Sequence, residues 1–255
     1  ADGMQAEDRV VAFLSREPVL LNAYERGMDT HSVMAELLFG VTYAEIVAGR
    51  KAGDKNTILL RETAKRIRHG WNYGMGPRRM TEVINVETPE LDWNNEKSFA
   101  AFAKLESGLP KVVEWRENGR KYLRTDRVWY SPFGRRRKFT GRIGHETDKE
   151  FFANAPQGMV GDHINRCIAP IEQRLNNLYD NLAVMKYDTT EDRQLGMPLL
   201  QIHDAIAGQC RPEWLENVKE IVVEEMQTPL PLWHNGKQLV IPCDFKSGKN
   251  WQECG

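Results

Sequence analysis

The segment Met197-Pro198-Leu199-Leu200-Gln201-Ile202-His203-Asp204-Ala205-Ile206-Ala207 constrains the fold of this chain more than any other. One apolar run leads into Gln201 and a second follows Asp204, which is the pattern of a short β-hairpin with an acid at its turn. Leu239-Val240-Ile241-Pro242 reads as a final strand, and Val128-Trp129-Tyr130 running into Ser131-Pro132-Phe133-Gly134-Arg135 as another hairpin. Elsewhere the period is helical. Residues 5–26 carry an apolar face broken near Pro18, and 30–39 form a helix opened by Thr30 and closed by Gly40. Thr42-Tyr43-Ala44-Glu45 starts a further helix, and Gly53-Asp54-Lys55-Asn56 is a loop. Residues 57–72 are a strong helix that Gly74 and Gly76-Pro77 end. Helices follow over 96–105 and from Leu109-Pro110 to Arg120, then over 157–186, beginning at Gln157-Gly158, and from Pro212 to Gln227. The fold class that results is α+β, with an antiparallel sheet and a largely helical middle.

Composition narrows the function classes. The chain has 255 residues, 41% apolar and 28% charged, enough for one large or two small domains with a real core. Its net charge of −1 gives no global signal for nucleic acid. The charge is uneven, however: residues 61–79 hold Arg61, Lys65, Arg66, Arg68, Arg78 and Arg79 against Glu62, and Arg135-Arg136-Arg137-Lys138 form a second basic run. No run approaches the roughly 20 apolar residues that span a bilayer, so a membrane partner is not expected. The cysteines Cys167, Cys210, Cys243 and Cys254 make no zinc spacing, and reduced thiols in a cytoplasmic setting are expected.

Arg61, Lys65, His69 and Tyr73 stand at steps of four, which advance ~400° and so fall on one helical stripe. A guanidinium fork and an ammonium point charge suit a triphosphate, and two rings suit a base and sugar. A solvated basic face with Tyr73 packed is the plainer alternative. Asp2, near the start of the chain, and Asp204 are candidate ligands for hard divalent cations; taken singly, each is a turn or surface aspartate. His31 is either a phosphate contact or a residue near a helix start. Glu7 is either a carboxylate set against a sugar or an ordinary helical acid. Gln157, after Pro156, is either a donor to a minor-groove base edge or a plain helix start. Two acids with a basic helical face are what metal-dependent nucleotidyl transfer requires.

In chain order these pieces resemble the polymerase domain of family A, the DNA polymerase I family. Asp2-Gly3-Met4-Gln5-Ala6-Glu7-Asp8-Arg9 resembles the motif DYSQIELR, and Asp29-Thr30-His31 with Ala35-Glu36 and Phe39-Gly40 resembles the DIH…AA…FG segment. Arg61 to Gly74 resembles RRxAKxxxFGxxYG, and Pro132 to Arg137 a family hairpin. Asn154 to Asp162 resembles NxPxQGxxAD, Gln201-Ile202-His203-Asp204 resembles QVHDE, and Gly248 to Trp251 the closing GxxW. The resemblance implies a partial right-hand fold: palm over 1–25, fingers over 26–150 and palm again over 151–255, with the thumb absent. It implies dNMP transfer from a dNTP to a primer 3′-hydroxyl with two magnesium ions, manganese substituting, held by Asp2 and Asp204. His31, Arg61 and Lys65 would bind the triphosphate, with Lys65 also a proton donor to pyrophosphate. Gln5, Glu7, His69 and Tyr73 would complete the nucleotide pocket, Glu7 as a gate against ribonucleotides. Gln157, His203, Arg135, Arg136 and Asn154 would contact primer-template DNA.

The departures from the family pattern are specific. His69 stands where Phe or Tyr is usual, Ala205 replaces the common Glu, Gly3 and Asp8 differ, and the stretch from Asn154 is one residue short. The family's thumb and first palm strands would precede Asp2. A separate N-terminal half, as in a split phage-type polymerase, is therefore an expected partner, a proteolytic piece being the other reading. The resemblance places the protein in the cytoplasm of a bacterium or phage-infected cell. The alternative is a weak or inactive polymerase subunit that binds nucleic acid, favoured by Gly3, Ala205 and the missing front. A single-subunit RNA polymerase relative is the third, and Glu7 speaks against it.

Overall fold

The structure is a computed structural model and describes residues 1–186 and 196–254. The elements in chain order are β1 (Asp2–Gly3), α1 (Ala6–Ser15), α2 (Pro18–Glu25), α3 (Thr30–Phe39), α4 (Tyr43–Lys51), α5 (Lys55–Asn72), α6 (Pro77–Glu87), α7 (Asn95–Gly108) and α8 (Pro110–Thr125). Then come β2 (Val128–Tyr130), β3 (Arg136–Lys138), α9 (His145–Lys186), β4 (Gly196–Ile202), β5 (Ala205–Cys210), α10 (Leu215–Met226), β6 (Leu230–His234), β7 (Lys237–Leu239), β8 (Cys243–Asp244) and α11 (Trp251–Cys254). The chain divides into two compact units, Ala1–Val10 with Pro156–Gly255, and Val11–Ala155.

The first unit is built on an antiparallel sheet of order β4-β5-β1-β8. The β4–β5 hairpin runs in register from Gly196↔Cys210 to Ile202↔Ala205, with a shift between Pro198 and Leu200. Pro198 cannot donate to a ladder, and β4 is an edge strand, where that loss is tolerated. The expected strand over 239–242 is displaced: β7 ends at Leu239, and Pro242 separates it from β8 at Cys243. The Pro212–Gln227 helix is a 3-10 turn, Pro212–Trp214, leading into α10.

The second unit is helical. Its core joins Leu20, Met34, Ala35, Ile67, Trp71 and Leu105 from α2, α3, α5 and α7. The break between α1 and α2 comes at Arg16, with φ of 56°, just before Pro18 at the start of α2. Gly40 closes α3 at φ of 75°, the left-handed C-cap that glycine enters at no cost. Helix α6 follows Gly76-Pro77 directly, so the glycine–proline pair that reads as a stop also starts a helix with proline at its first position. Helix α9 corrects the expected start at Gln157: it begins at His145 and runs through Pro156 and Pro170. Pro156 reads as a boundary because proline gives up one helical hydrogen bond. In a helix of 42 residues that loss is borne by the neighbouring turns, and Phe151, Phe152 and Ala155 are buried just ahead of it.

Candidate active site

In the first unit the register of β1 sets the acids. Asp2 stands opposite Ala205 on β5 and Asp244 on β8. His203 and Asp204 form the two-residue turn between β4 and β5, with His203 at φ of 52°. The Asp204 carbonyl accepts from the Gly3 amide at 3.0 Å. A Cβ on Gly3 would lie 3.3 Å from that same oxygen and from Ile241 Cγ2, so the position favours glycine. Burial first, then the neighbouring Asp204 carboxylate, push the Asp2 carboxyl above its usual range. Glu7, half-buried in the first turn of α1, is pushed up to about 7 by burial and then by Asp204, with His203 acting in the opposite direction. Gln5, at φ of 53°, links β1 to α1.

Two neighbouring carboxylates repel each other when both are ionised, and a divalent cation relieves that repulsion. Among the described residues no group of three or more His, Cys, Asp or Glu forms a metal cluster. A magnesium ion that shares its shell with water and substrate phosphates needs only one or two protein carboxylates, so Asp2 and Asp204 fit the ion.

In the second unit Asp54 caps α5 by accepting from the Thr57 amide at 2.9 Å. Thr63, Ala64, Ile67, Gly70 and Trp71 form its buried face, which leaves Lys65 and His69 exposed on the opposite one. The His69 and Tyr73 rings meet edge to face at 4.6 Å. Arg61 instead turns to Asp29, donating through Nε at 2.6 Å and Nη2 at 3.0 Å, and through Nη1 to Glu62 at 2.5 Å. Burial opposes ionisation of Asp29, but hydrogen bonds from Arg61 and Ser32 outweigh it and hold the carboxyl well below the usual range. His31 is half-buried beside this carboxylate and lowers it further.

Among the candidate DNA contacts, Gln157 is exposed on α9, and Asn154 is half-buried with its Oδ1 closed off from solvent and without a hydrogen-bond partner. Arg135 and Arg136 are exposed on the β2–β3 hairpin, whose turn is fixed by Gly134 donating to the Ser131 carbonyl at 2.7 Å. Trp71, on α5, is a core residue, 1% exposed, with the Arg116 guanidinium 4.9 Å from its ring centroid.

The structure thus brings Asp2, Glu7, His203 and Asp204 together in one unit, and His31 and Arg61 around Asp29 in the other. Sequence reasoning missed two neighbours. Asp244 adds a third acid beside Asp2, and Arg50 shares the Asp29 carboxylate. Asp244 carries a weak signal, a carboxylate two residues past the strand-breaking Pro242. Arg50 carries none, because its partner lies 21 residues away on another element.

A family model described as DNA polymerase family A matches residues 1–253. The chain belongs to DNA polymerase family A. Its curated relatives include DNA polymerase I of Caldicellulosiruptor bescii, 26% identical over 99% of this chain and 26% of that protein. Another is the thermostable DNA polymerase I of Thermus aquaticus, 28% identical over 91% of this chain and 24% of that protein. The chain therefore spans about a quarter of the length of the curated relatives it matches. Among solved structures it is similar to the POL domain of Pol1 from M. smegmatis in complex with DNA primer-template and dNTP. The TM-score is 0.67 at 20% identity, covering 91% of this chain and 37% of that one. That likeness supports the fold: a partial α+β polymerase architecture with a small antiparallel sheet. No helix among the described residues is long and apolar enough to cross a membrane.

Proposed function

We propose that this chain carries the nucleotidyl-transfer centre of a template-directed DNA polymerase, adding a dNMP from a dNTP to a primer 3′-hydroxyl. The single observation that carries the reading is that the β1–β5 pairing sets Asp2 opposite Ala205, beside Asp204, in a chain of family A. The reading of palm over 1–25 and 151–255 with fingers over 26–150 stands as part of this proposal; the compact units, Ala1–Val10 with Pro156–Gly255 and Val11–Ala155, divide the chain nearby but assign residues 11–25 to the helical unit.

In the reaction the primer oxygen forms a bond to the α-phosphorus as the bond to pyrophosphate breaks. Asp2 and Asp204 would hold two magnesium ions, or manganese in their place, which when bound supply charge neutralisation to the phosphates and acidify the primer hydroxyl. The remaining work is positioning and charge stabilisation by the chain's own side chains. Arg61, Lys65 and His31 bind the triphosphate oxygens, and Lys65, exposed on α5, delivers a proton to the departing pyrophosphate. Glu7, beside Asp204, occupies the space a ribose 2′-hydroxyl needs, with Gln5 next to it in the chain. His69 and Tyr73 present a paired edge-to-face surface to sugar and base. Gln157, His203, Arg135, Arg136 and Asn154 contact the primer-template. Primer-template DNA and a dNTP are the partners of this proposal, and a co-purifying polypeptide is tested with them.

One observation favours the second reading, a weak or inactive nucleic-acid-binding subunit: Ala205, where the family commonly has Glu, is the direct cross-strand neighbour of Asp2. Primer extension in magnesium with dNTPs or rNTPs separates the two. The polymerase reading expects dNTP extension, with ribonucleotides entering only after Glu7→Ala. Primer-template binding without extension, alone and with the co-purifying partner, would establish the subunit reading instead.

A further inference from the structure

The Asp29 carboxylate is shared by more donors than its pairing with Arg61 requires. Its Oδ2 accepts from Arg61 Nε at 2.6 Å, from Ser32 Oγ at 2.6 Å and from Arg50 Nη1 at 3.1 Å, while Oδ1 accepts from Arg61 Nη2 at 3.0 Å. Arg61, with Glu62 on its Nη1, is thus engaged by two carboxylates, yet it is the residue assigned to a polyanionic ligand. An arginine that turns towards phosphate must release donors it now gives to Asp29. A half-buried carboxylate stripped of its cation pays for lost solvation that nothing replaces. The Asp29 side chain is 19% exposed and that of Arg61 14%.

Arg50 removes that obstacle. It stands in the last turn of α4, its side chain is 37% exposed, and it touches Asp29 end-on through one nitrogen. A guanidinium making a single contact has donors left to close into a fork on the same carboxylate. We propose that Arg50 is a positioning residue of the nucleotide site: it takes over the Asp29 carboxylate when Arg61 transfers donors to the oxyanions of a triphosphate, so that Asp29 stays paired with and without ligand. The proposal rests on the reading of Arg61 as a triphosphate ligand. In it Arg50 never touches the nucleotide. Ser32, fully buried, is the fixed donor that keeps Asp29 in place during the exchange.

The test is calorimetric binding of inorganic tripolyphosphate and of dATP to the full chain. Arg50→Gln is expected to weaken both by roughly tenfold, the usual worth of a lost charge-assisted contact. Lys51→Gln, which removes the neighbouring exposed charge, should weaken them by less than about twofold, as expected for a screened surface charge. Arg50→Lys should recover most of the affinity, because an ammonium still pairs the carboxylate. In the Arg61→Ala background Arg50→Gln should add less than about twofold, since no exchange is left to support. Ser32→Ala removes a donor from Asp29 without changing any charge, so it reports on the exchange even where Arg50→Gln lowers the melting temperature; it should weaken binding about threefold. Arg50→Gln no weaker than Lys51→Gln, an undiminished Arg50→Gln effect in the Arg61→Ala background, or an unchanged Ser32→Ala would each overturn the proposal. Full affinity in Arg61→Ala itself would instead sink the underlying triphosphate reading.

Discussion

Glu17 offers the sharpest test of how the second unit is held together. It is 1% exposed, and its two oxygens serve two helix starts: Oε1 accepts from the Val19 amide at 3.3 Å and Oε2 from the Lys111 amide at 2.8 Å. One acid thus caps α2 and α8, with 94 residues between Glu17 and the Lys111 amide that it accepts from. Both amides are among the unpaired donors that every helix N-terminus presents, and the helix dipoles favour a negative charge there. Glu17→Gln keeps the shape but has one acceptor oxygen, so one amide faces an NH2 group. A buried donor left without an acceptor costs about 1–3 kcal/mol, which sets the expected loss for Glu17→Gln. Glu17→Ala orphans both donors, and the cost rises to about 2–5 kcal/mol. Urea unfolding reads this as a lower midpoint, by about 1 M for a loss near 3 kcal/mol at a slope near 3 kcal/mol/M. Hydrogen exchange at the Lys111 amide should accelerate in both variants. A Glu17→Gln midpoint within error of wild type, with Lys111 protection intact, would refute the capping argument.

Three further outcomes follow from packing and charge. Gly119→Ala places a Cβ 2.3 Å from the Phe151 ring, which is itself enclosed by Trp115, Trp129, Phe139 and Phe152; overpacking of about 1–3 kcal/mol should exceed the ~1 kcal/mol helix gain and lower the melting temperature. Gly161→Ala meets nothing within 4 Å on α9 and should instead raise stability by ~0.5–1 kcal/mol, so equal signs in thermal melts would contradict the account. Asp29 has a depressed carboxyl, so its contribution is complete above the unfolded value near pH 4 and is lost as pH falls through the lower folded value; the stability gap between wild type and Asp29→Asn, measured in urea, should be constant from pH 7 to 5 and shrink below about pH 4.

Local pattern made some elements legible and hid others. The hairpin around His203-Asp204 could be read because both its strands are apolar and its turn is two polar residues, and β4 and β5 meet at that turn. Helix α5 could be read from its stripe, and the exposed Lys65 and His69 with the buried Ala64, Ile67 and Trp71 repeat that pattern. The start of α9 could not, because Pro156 carries a strong local stop signal and only the packing of Phe151 and Phe152 in the aromatic cluster ahead of it argues the other way. The acids Asp2 and Asp204 were separable from surface aspartates by motif order alone. What places them together is a β1 of two residues paired on both sides, a long-range arrangement with no local signature. The same holds for Arg50 on Asp29, which depends on how α3, α4 and α5 pack.

The most direct measurement is single-turnover incorporation of one dNTP on a primer-template in magnesium, comparing the wild-type chain, with any polymerase half that co-purifies, against Asp204→Asn and Asp2→Asn. Wild type is expected to incorporate the nucleotide and either variant to lose at least about a thousandfold, with primer-template affinity within about twofold of wild type. Incorporation that survives loss of either carboxylate would contradict the proposed centre.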